Sequence, residues 1–450
     1  MSDVCALASS AGGAFLLLGC RDGLRGYHLD VGKSPRKLIP AAGEASTVQS
    51  CRKVDGIPGV VAVLGETPLI AFVLSCGGVT GSWRSDNMGE GRGGEEGRVM
   101  TTPRALQLYD VCADEVIATA SFEAAVVGVR MNSELLVVIL EDCVHVMDLA
   151  TLRHLAKLST TKPRNPSGLV QLSEPTMDPR GEPVTYLAYP QSDNGLGDVW
   201  VAQVCGKRLG GKVEPNTEPH GGRSPSVERV AIVQAHRGPI VCLAMTRDGS
   251  RLATASSRGT TVKVFEIPSA RLLFVFRRGV TKARIHSLAF DSTGRSNGRQ
   301  LAALSSRGTL HVFRCGSADC DELSEQPACP AASADGGAEL RSFAQATVTQ
   351  NSGRGNSSNS FSTTGGCIKH CGLQSCFFSG DGQFVWVVVP QFFGSWCSGV
   401  ELPDDIEGSM GCGGGVARED RRVRDGLYWV LQLYAIRTRG CELVKRYLLG

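Results

Sequence analysis

An all-β fold, a seven-bladed β-propeller built from degenerate WD40 repeats with long loop insertions, is predicted by three observations. Short apolar runs recur from one end of the chain to the other, convincing long amphipathic helices are missing, and one strand-turn-strand unit occurs twice in succession. The runs fall at 15–20, 60–64, 69–74, 135–140, 199–204, 240–245, 262–267, 272–276, 310–313, 384–389 and 428–434. Each is rich in Val, Ile, Leu or aromatic residues and is bounded by Gly, Asp, Ser or Pro, the punctuation of short strands.

The repeat selects the class of β fold. Leu252-Ala-Thr-Ala-Ser-Ser-Arg-Gly-Thr-Thr-Val-Lys-Val-Phe265 aligns with Leu301-Ala-Ala-Leu-Ser-Ser-Arg-Gly-Thr-Leu-His-Val-Phe313, with a one-residue difference before the final Phe. Ala235-His236 and the Asp248-Gly249 turn complete a WD-like unit in which Ala-His replaces Gly-His and Val-Phe replaces Trp-Asp. At about 40–45 residues per blade, seven blades use roughly 300 residues. The remainder of the 450 is accommodated in insertions at 81–98, 206–227, 291–300, 315–366 and 394–425, which are rich in Gly, Ser, Asp, Glu or Arg and poor in strand formers.

Composition restricts the possible functions. With 42% apolar and 20% charged residues the chain can bury a large core, and a net charge of +3 gives no general field for nucleic acid, so anions must be recognised by local clusters. The 17 cysteines are odd in number and irregularly spaced, without Cys-x-x-Cys, which predicts reduced thiols in a cytosolic setting. Cys367, His370, Cys371 and Cys376 form the tightest group, but their spacing matches no common zinc site, and no metal or cofactor is assigned. No secretory leader is expected, and no apolar run approaches the roughly 18 residues of a membrane span. Membrane contact would be peripheral.

Chemistry concentrates at Phe276-Arg277-Arg278-Gly279, which lies between the two copies of Ser-Ser-Arg-Gly-Thr at 256–260 and 305–309. Successive side chains on a strand point to opposite faces, so the two arginines are placed to serve two pockets. A guanidinium grips phosphate bidentately, and the Ser and Thr hydroxyls of the flanking turns can add neutral donors. Gly259 and Gly308 would admit close backbone approach, and Gly279 a turn after the arginines. Lys282, Arg284 and His286 extend the basic patch, with Arg258 and Arg307 at its rim.

These residues resemble those of the PROPPINs, β-propellers that bind polyphosphoinositides, whose defining motif is Phe-Arg-Arg-Gly between blades five and six. Further similarity lies in Gly19-Cys-Arg-Asp-Gly-Leu-Arg-Gly-Tyr27 of blade one, Leu135-Leu-Val-Val-Ile-Leu-Glu-Asp142 of blade three and the Asn165-Pro-Ser-Gly-Leu169 corner. Leu187-Ala-Tyr-Pro190 resembles the start of blade four, and Gly440-Cys-Glu-Leu-Val444 the C-terminal strand. The resemblance implies a first lipid pocket of His236, Thr254, Ser256, Thr260, Lys263 and Arg277, and a second of Arg278, Ser305, Thr309 and His311. It also implies that segment 315–366 is the membrane-facing loop of blade six. That segment is dominated by Gly, Ser, Ala and Asn, and its stretch 339–348 is the candidate for an inducible amphipathic turn.

The expected function is that of a peripheral membrane scaffold, binding phosphatidylinositol 3-phosphate and phosphatidylinositol 3,5-bisphosphate. By resemblance it acts in autophagosome formation or endolysosomal traffic, on phagophore, endosomal or vacuolar/lysosomal membranes. Autophagy proteins of the lipid-transfer or conjugation machinery would dock on blades two and three, near Arg130 and the 81–98 insertion. The competing reading is a WD-repeat scaffold that binds only protein. An enzyme is not expected, because no Ser-His-Asp set, metal spacing or phosphate loop with Gly-Lys-Ser/Thr appears.

Overall fold

The computed structural model describes the chain except for residues 1–3, 11, 32, 34, 40–55, 76–102, 161–162, 179–180, 193–196, 206–225, 293–297, 317–339, 349–373, 394–425, 439 and 450. The strands form seven sheets, antiparallel apart from one short parallel pairing in blade five, taken in chain order as blades one to seven: 4–39, 57–121, 126–159, 171–236, 240–277, 285–347 and 375–449. First strands of successive blades lie side by side for most of the ring, which puts them at the central axis and the fourth strands at the rim.

Seven buried clusters account for ring closure, one between each pair of neighbouring blades. Blades one and two share Ala6, Leu17 and Leu24 with Ile70, Phe72 and Tyr109. Blades five and six share Ala255, Val262 and Phe276 with Ile285, Leu301 and Phe313. The ring is closed by Leu16, Leu18 and Tyr27 of blade one against Trp386, Leu431 and Tyr447 of blade seven. Each blade thus has two apolar faces, so its strands read as apolar runs more than as strict alternation. Burying one such side chain contributes about 1.5–3 kcal/mol. The ring spreads this stabilisation over every seam.

Two local features depart from the sequence reading. Leu187–Pro190, expected to open blade four, belongs to its second strand, Pro183–Pro190; the inner position is held by the two-residue strand Gln171–Leu172, with Thr176–Met177 also paired to Pro183–Pro190. Pro175 leaves too short an apolar run there to signal a strand. Within 315–366, the described part of the 339–348 stretch, residues 340–348, is no amphipathic turn: Ala344–Thr347 pairs with Thr309–Arg314 as the rim strand of blade six, and Leu340–Arg341 pairs in parallel with Leu272–Arg277 of blade five. Ala344 and Val348 are buried in the seam with blade seven, which holds this segment as β-structure. Of the other insertions, Ser226 and Val227 open the strand Ser226–His236, Asp291 and Gln300 are joined by a backbone hydrogen bond, and 81–98 and 394–425 lie outside the described residues.

The repeated pentapeptides form matching turns. In one, the Gly259 N–H donates to the Ser256 carbonyl at 2.9 Å; in the other, Gly308 donates to Ser305 at 2.9 Å. Both glycines have left-handed backbone, with φ of 57° and 67°. At Gly259 a Cβ would stand 1.8 Å from the Ala283 carbonyl oxygen, so this turn is pressed against the link to blade six. Gly279 differs, since a Cβ there meets nothing within 4 Å and its φ is not left-handed. Gly259→Ala is therefore expected to destabilise the protein by about 2 kcal/mol or more, while Gly279→Ala leaves the thermal unfolding midpoint unchanged. Equal midpoints for the two variants would contradict this assignment.

Candidate functional site

Register fixes where each arginine points. In blade five, Thr254 pairs with Lys263, Lys263 with Val275, and Thr261 with Arg277, which puts Thr254, Lys263, Thr261 and Arg277 on one face. That face meets blade four through Leu243, Leu252 and Phe265. The opposite face carries Ala255, Val262 and Phe276 and meets blade six. Arg278 follows Phe276 on this second face, its N–H still donating to the Thr260 carbonyl at 2.9 Å. The two guanidinium groups leave the strand towards different seams.

The seam of blades four and five gathers His236, Thr254, Ser256, Lys263 and Arg277. His236 Nε2 lies 3.0 Å from Thr254 Oγ1. Thr254 is fully buried at 0% exposure, so its hydroxyl orients His236 rather than facing solvent. Burial pushes the His236 imidazole down to about 4, keeping it neutral at physiological pH. Lys263 is also lowered, by burial first and by the neighbouring Arg237 charge second, and Arg237 is exposed beside it. Ser256 continues the Thr254 face to the strand end.

Thr260 is placed differently from the expectation. Its carbonyl accepts the N–H of Arg278, and Thr261 is the residue in register with Arg277. Blade six explains why. Thr309, His311 and Phe313 alternate onto its seam face as Thr261, Lys263 and Phe265 do in blade five, so Thr261 is the counterpart of Thr309 and Thr260 is the extra residue. The one-residue offset ahead of Phe265 and Phe313 was the available signal.

The seam of blades five and six gathers Arg278, Ser305, Thr309 and His311. Ser305 Oγ and Thr309 Oγ1 are 2.6 Å apart, and His311 Nε2 is 3.2 Å from Thr309 Oγ1. Burial and then the Arg278 charge hold His311 down at about 4. Arg278 Nε donates to the Gly259 carbonyl at 2.6 Å and Nη2 to that of Thr281, so two of the five guanidinium donors are engaged among the described residues. Arg307 lies near enough for its charge to lower Arg278 further, after burial. This arrangement holds a fixed cation beside a chain of neutral donors.

Two contributions came from outside the expected set. The strand Leu340–Arg341 brings Arg341 into register with Arg277, and Ser342 Oγ lies 3.2 Å from His311 Nδ1. Both sit in a segment read as insertion, where no pattern marked them. Around the turns, Arg258, Lys282, Arg284 and Arg307 are exposed, and the Ala283 N–H donates to the Arg258 carbonyl and the Ser306 N–H to that of Arg284. His286 lies on the inner strand Ile285–Phe290, half-buried and lowered by its burial and by Arg284. Arg130 is on the inner strand Val126–Met131, where it donates to the carbonyls of Val170 and Val129. Cys376 is buried in blade seven, while Cys367, His370 and Cys371 lie outside the described residues.

The PROPPIN family model matches residues 221–353, a stretch containing both turns and both arginines. Autophagy-related protein 18 of Dictyostelium discoideum is 30% identical over 283 residues, which make up 63% of this chain and 61% of that protein. Its namesake from Ajellomyces capsulatus (strain NAm1 / WU24) is 30% identical over 225 residues, 50% of this chain and 53% of the relative. The chain thus spans between 53% and 61% of the length of these two curated relatives. The fold of Kluyveromyces lactis Hsv2 matches over 99% of each chain, with a TM-score of 0.56 at 15% identity. KlAtg21, solved with the coiled-coil of AgAtg16, matches over 100% of each chain with a TM-score of 0.54 at 16% identity. The chain is thus similar to the PROPPINs over the stretch that carries both turns and both arginines, and its fold is the β-propeller of the solved Hsv2 and KlAtg21.

Proposed function

We propose that this propeller captures two 3-phosphorylated phosphoinositide headgroups, phosphatidylinositol 3-phosphate and phosphatidylinositol 3,5-bisphosphate, and so acts as a lipid-recruited scaffold in autophagosome formation or endolysosomal traffic. The observation that carries the reading is the split of Arg277 and Arg278 onto opposite faces of one rim strand, each towards its own set of hydroxyl and imidazole groups. Phosphate oxygens suit the guanidinium, while ring hydroxyls and remaining phosphate oxygens suit Ser, Thr and neutral His. Once one headgroup is held, capture of the second is intramolecular, so two weak sites give firm recruitment. The exposed basic residues around the turns would add about 1 kcal/mol each near an anionic surface. The protein would then work from the cytoplasm on phagophore, endosomal or vacuolar/lysosomal membranes.

Protein partners are assigned to blades two and three. In support, the rim strand Glu115–Ser121 of blade two exposes Val116 and Ile117, at 46% and 51%. KlAtg21, of like fold, was solved with a coiled-coil bound.

Flotation with vesicles separates lipid capture from a purely protein-binding scaffold. The intact protein is expected to float only when 3-phosphorylated lipid is present, and Arg277→Ala/Arg278→Ala to lose at least about tenfold in affinity, a change of about 1.4 kcal/mol. A folded double variant that still floats would refute the proposal. Acidification gives a second test. Both imidazoles fall from about 6.5 in the unfolded chain to about 4 in the folded one. Their stabilising effect is complete above pH 6.5 and is lost as pH falls towards 4, since the unfolded chain then binds more protons. Urea midpoints are expected to drop across that window, less steeply in His236→Gln/His311→Gln; identical slopes would contradict buried neutral histidines.

A further inference from the structure

A second cluster lies away from the arginines, at the rim of the seam between blades two and three. Cys143 and His145 are two apart on the strand Cys143–Asp148 and therefore share a face; Glu123 joins them from the link that follows the rim strand of blade two. His145 Nε2 is 3.1 Å from Glu123 Oε1 and 3.7 Å from Cys143 Sγ, and Cys143 Sγ is 3.9 Å from Glu123 Oε1. Three atoms with lone pairs thus converge on one point. Ligands on a tetrahedral zinc ion, bound at about 2.0–2.3 Å, stand about 3.3–3.7 Å from one another. The triangle is close to that size without rearrangement of the strand.

The surroundings fit the same chemistry. His145 Nδ1 lies 3.0 Å from His154 Nε2, the kind of outer partner that fixes the tautomer and ring plane of a ligating histidine. His145 is also flanked by the Phe122 ring, with centroids 5.4 Å apart. Cys143 and His145 are buried, at 4% and 7%, while the Glu123 side chain is half-exposed, which leaves an approach from solvent. A competitor is already in place, because Lys157 Nζ donates to Glu123 Oε1 at 2.7 Å. The Lys157 side chain is 54% exposed and can swing into water.

We propose that Glu123, Cys143 and His145 form a binding site for a zinc-class divalent cation with an open fourth position, bridging blades two and three. A thiolate, an imidazole and a carboxylate together suit this borderline cation better than magnesium or calcium, which take oxygen ligands. Binding forms the metal–sulfur, metal–nitrogen and metal–oxygen bonds, releases the Cys143 proton to solvent, and moves the Lys157 ammonium away from Glu123. No oxidation or reduction is involved. The open position would accept water or a side chain from a protein docked across blades two and three.

Cobalt(II) titration of the full chain, purified metal-free, tests this site, since a thiolate ligand gives cobalt a charge-transfer absorption. One equivalent is expected to produce that band, with zinc bleaching it. Cys143→Ser is expected to abolish the band and His145→Gln to weaken binding at least tenfold, while Lys157→Gln, which frees Glu123 and leaves the buried residues intact, tightens it severalfold. Because Lys157→Gln is a gain of affinity at an exposed position, its result does not depend on whether a core variant folds. A band that persists unchanged in folded Cys143→Ser would place the metal on other thiols and overturn the proposal. So would the absence of any band in both the intact chain and Lys157→Gln.

Discussion

The stacking of Phe276 in the seam of blades five and six is the interaction on which the candidate site depends. Phe276 is 1% exposed, its ring lies 4.7 Å from that of Phe313 and 5.5 Å from that of Phe274, and Phe313 in turn stacks on His311 at 6.1 Å. Strand geometry does the rest. With Phe276 committed to that seam, Arg277 must leave on the blade-four side and Arg278 on the blade-six side. A slip of one residue would take the ring out of its stack on Phe313, carry it to the blade-four side and exchange the arginines. The same ladder that holds the core orients the histidine of one pocket.

The turns transmit this order to the polar groups. Gly259 presses against Ala283 and also offers its carbonyl to Arg278, so the turn of blade five positions a cation beside the Ser305, Thr309 and His311 cluster of blade six. Such cross-seam support suits a ring in which every blade leans on two neighbours. Under the proposed function, two arginines on one strand would need no conformational change before binding and would keep the spacing of two captured groups fixed.

Much of this was legible in the sequence. The duplicated Ser-Ser-Arg-Gly-Thr turns, the short apolar runs and the alternation around Phe276 point to the blades and to the opposed arginines, because each reports a local geometric rule. What was not legible depends on register and on contacts distant in sequence. The one-residue offset before Phe265 hinted at Thr261 over Thr260, but strand pairing was needed to settle which residue faces Arg277, and Thr254 offered no sign that its hydroxyl is spent on His236. Arg341 and Ser342 reach the site by a parallel pairing from a segment of low strand propensity. Glu123 meets Cys143 and His145 from 20 and 22 residues away, a spacing that resembles no metal motif.

The central claim is that the two arginines serve two separate sites. Calorimetric titration with soluble inositol 1,3-bisphosphate, the headgroup freed from its membrane, measures this directly. The account predicts two equivalents bound by the intact chain and one by each of Arg277→Ala and Arg278→Ala. A single equivalent for the intact chain, or loss of all binding in either single variant, would mean one shared pocket and would contradict it.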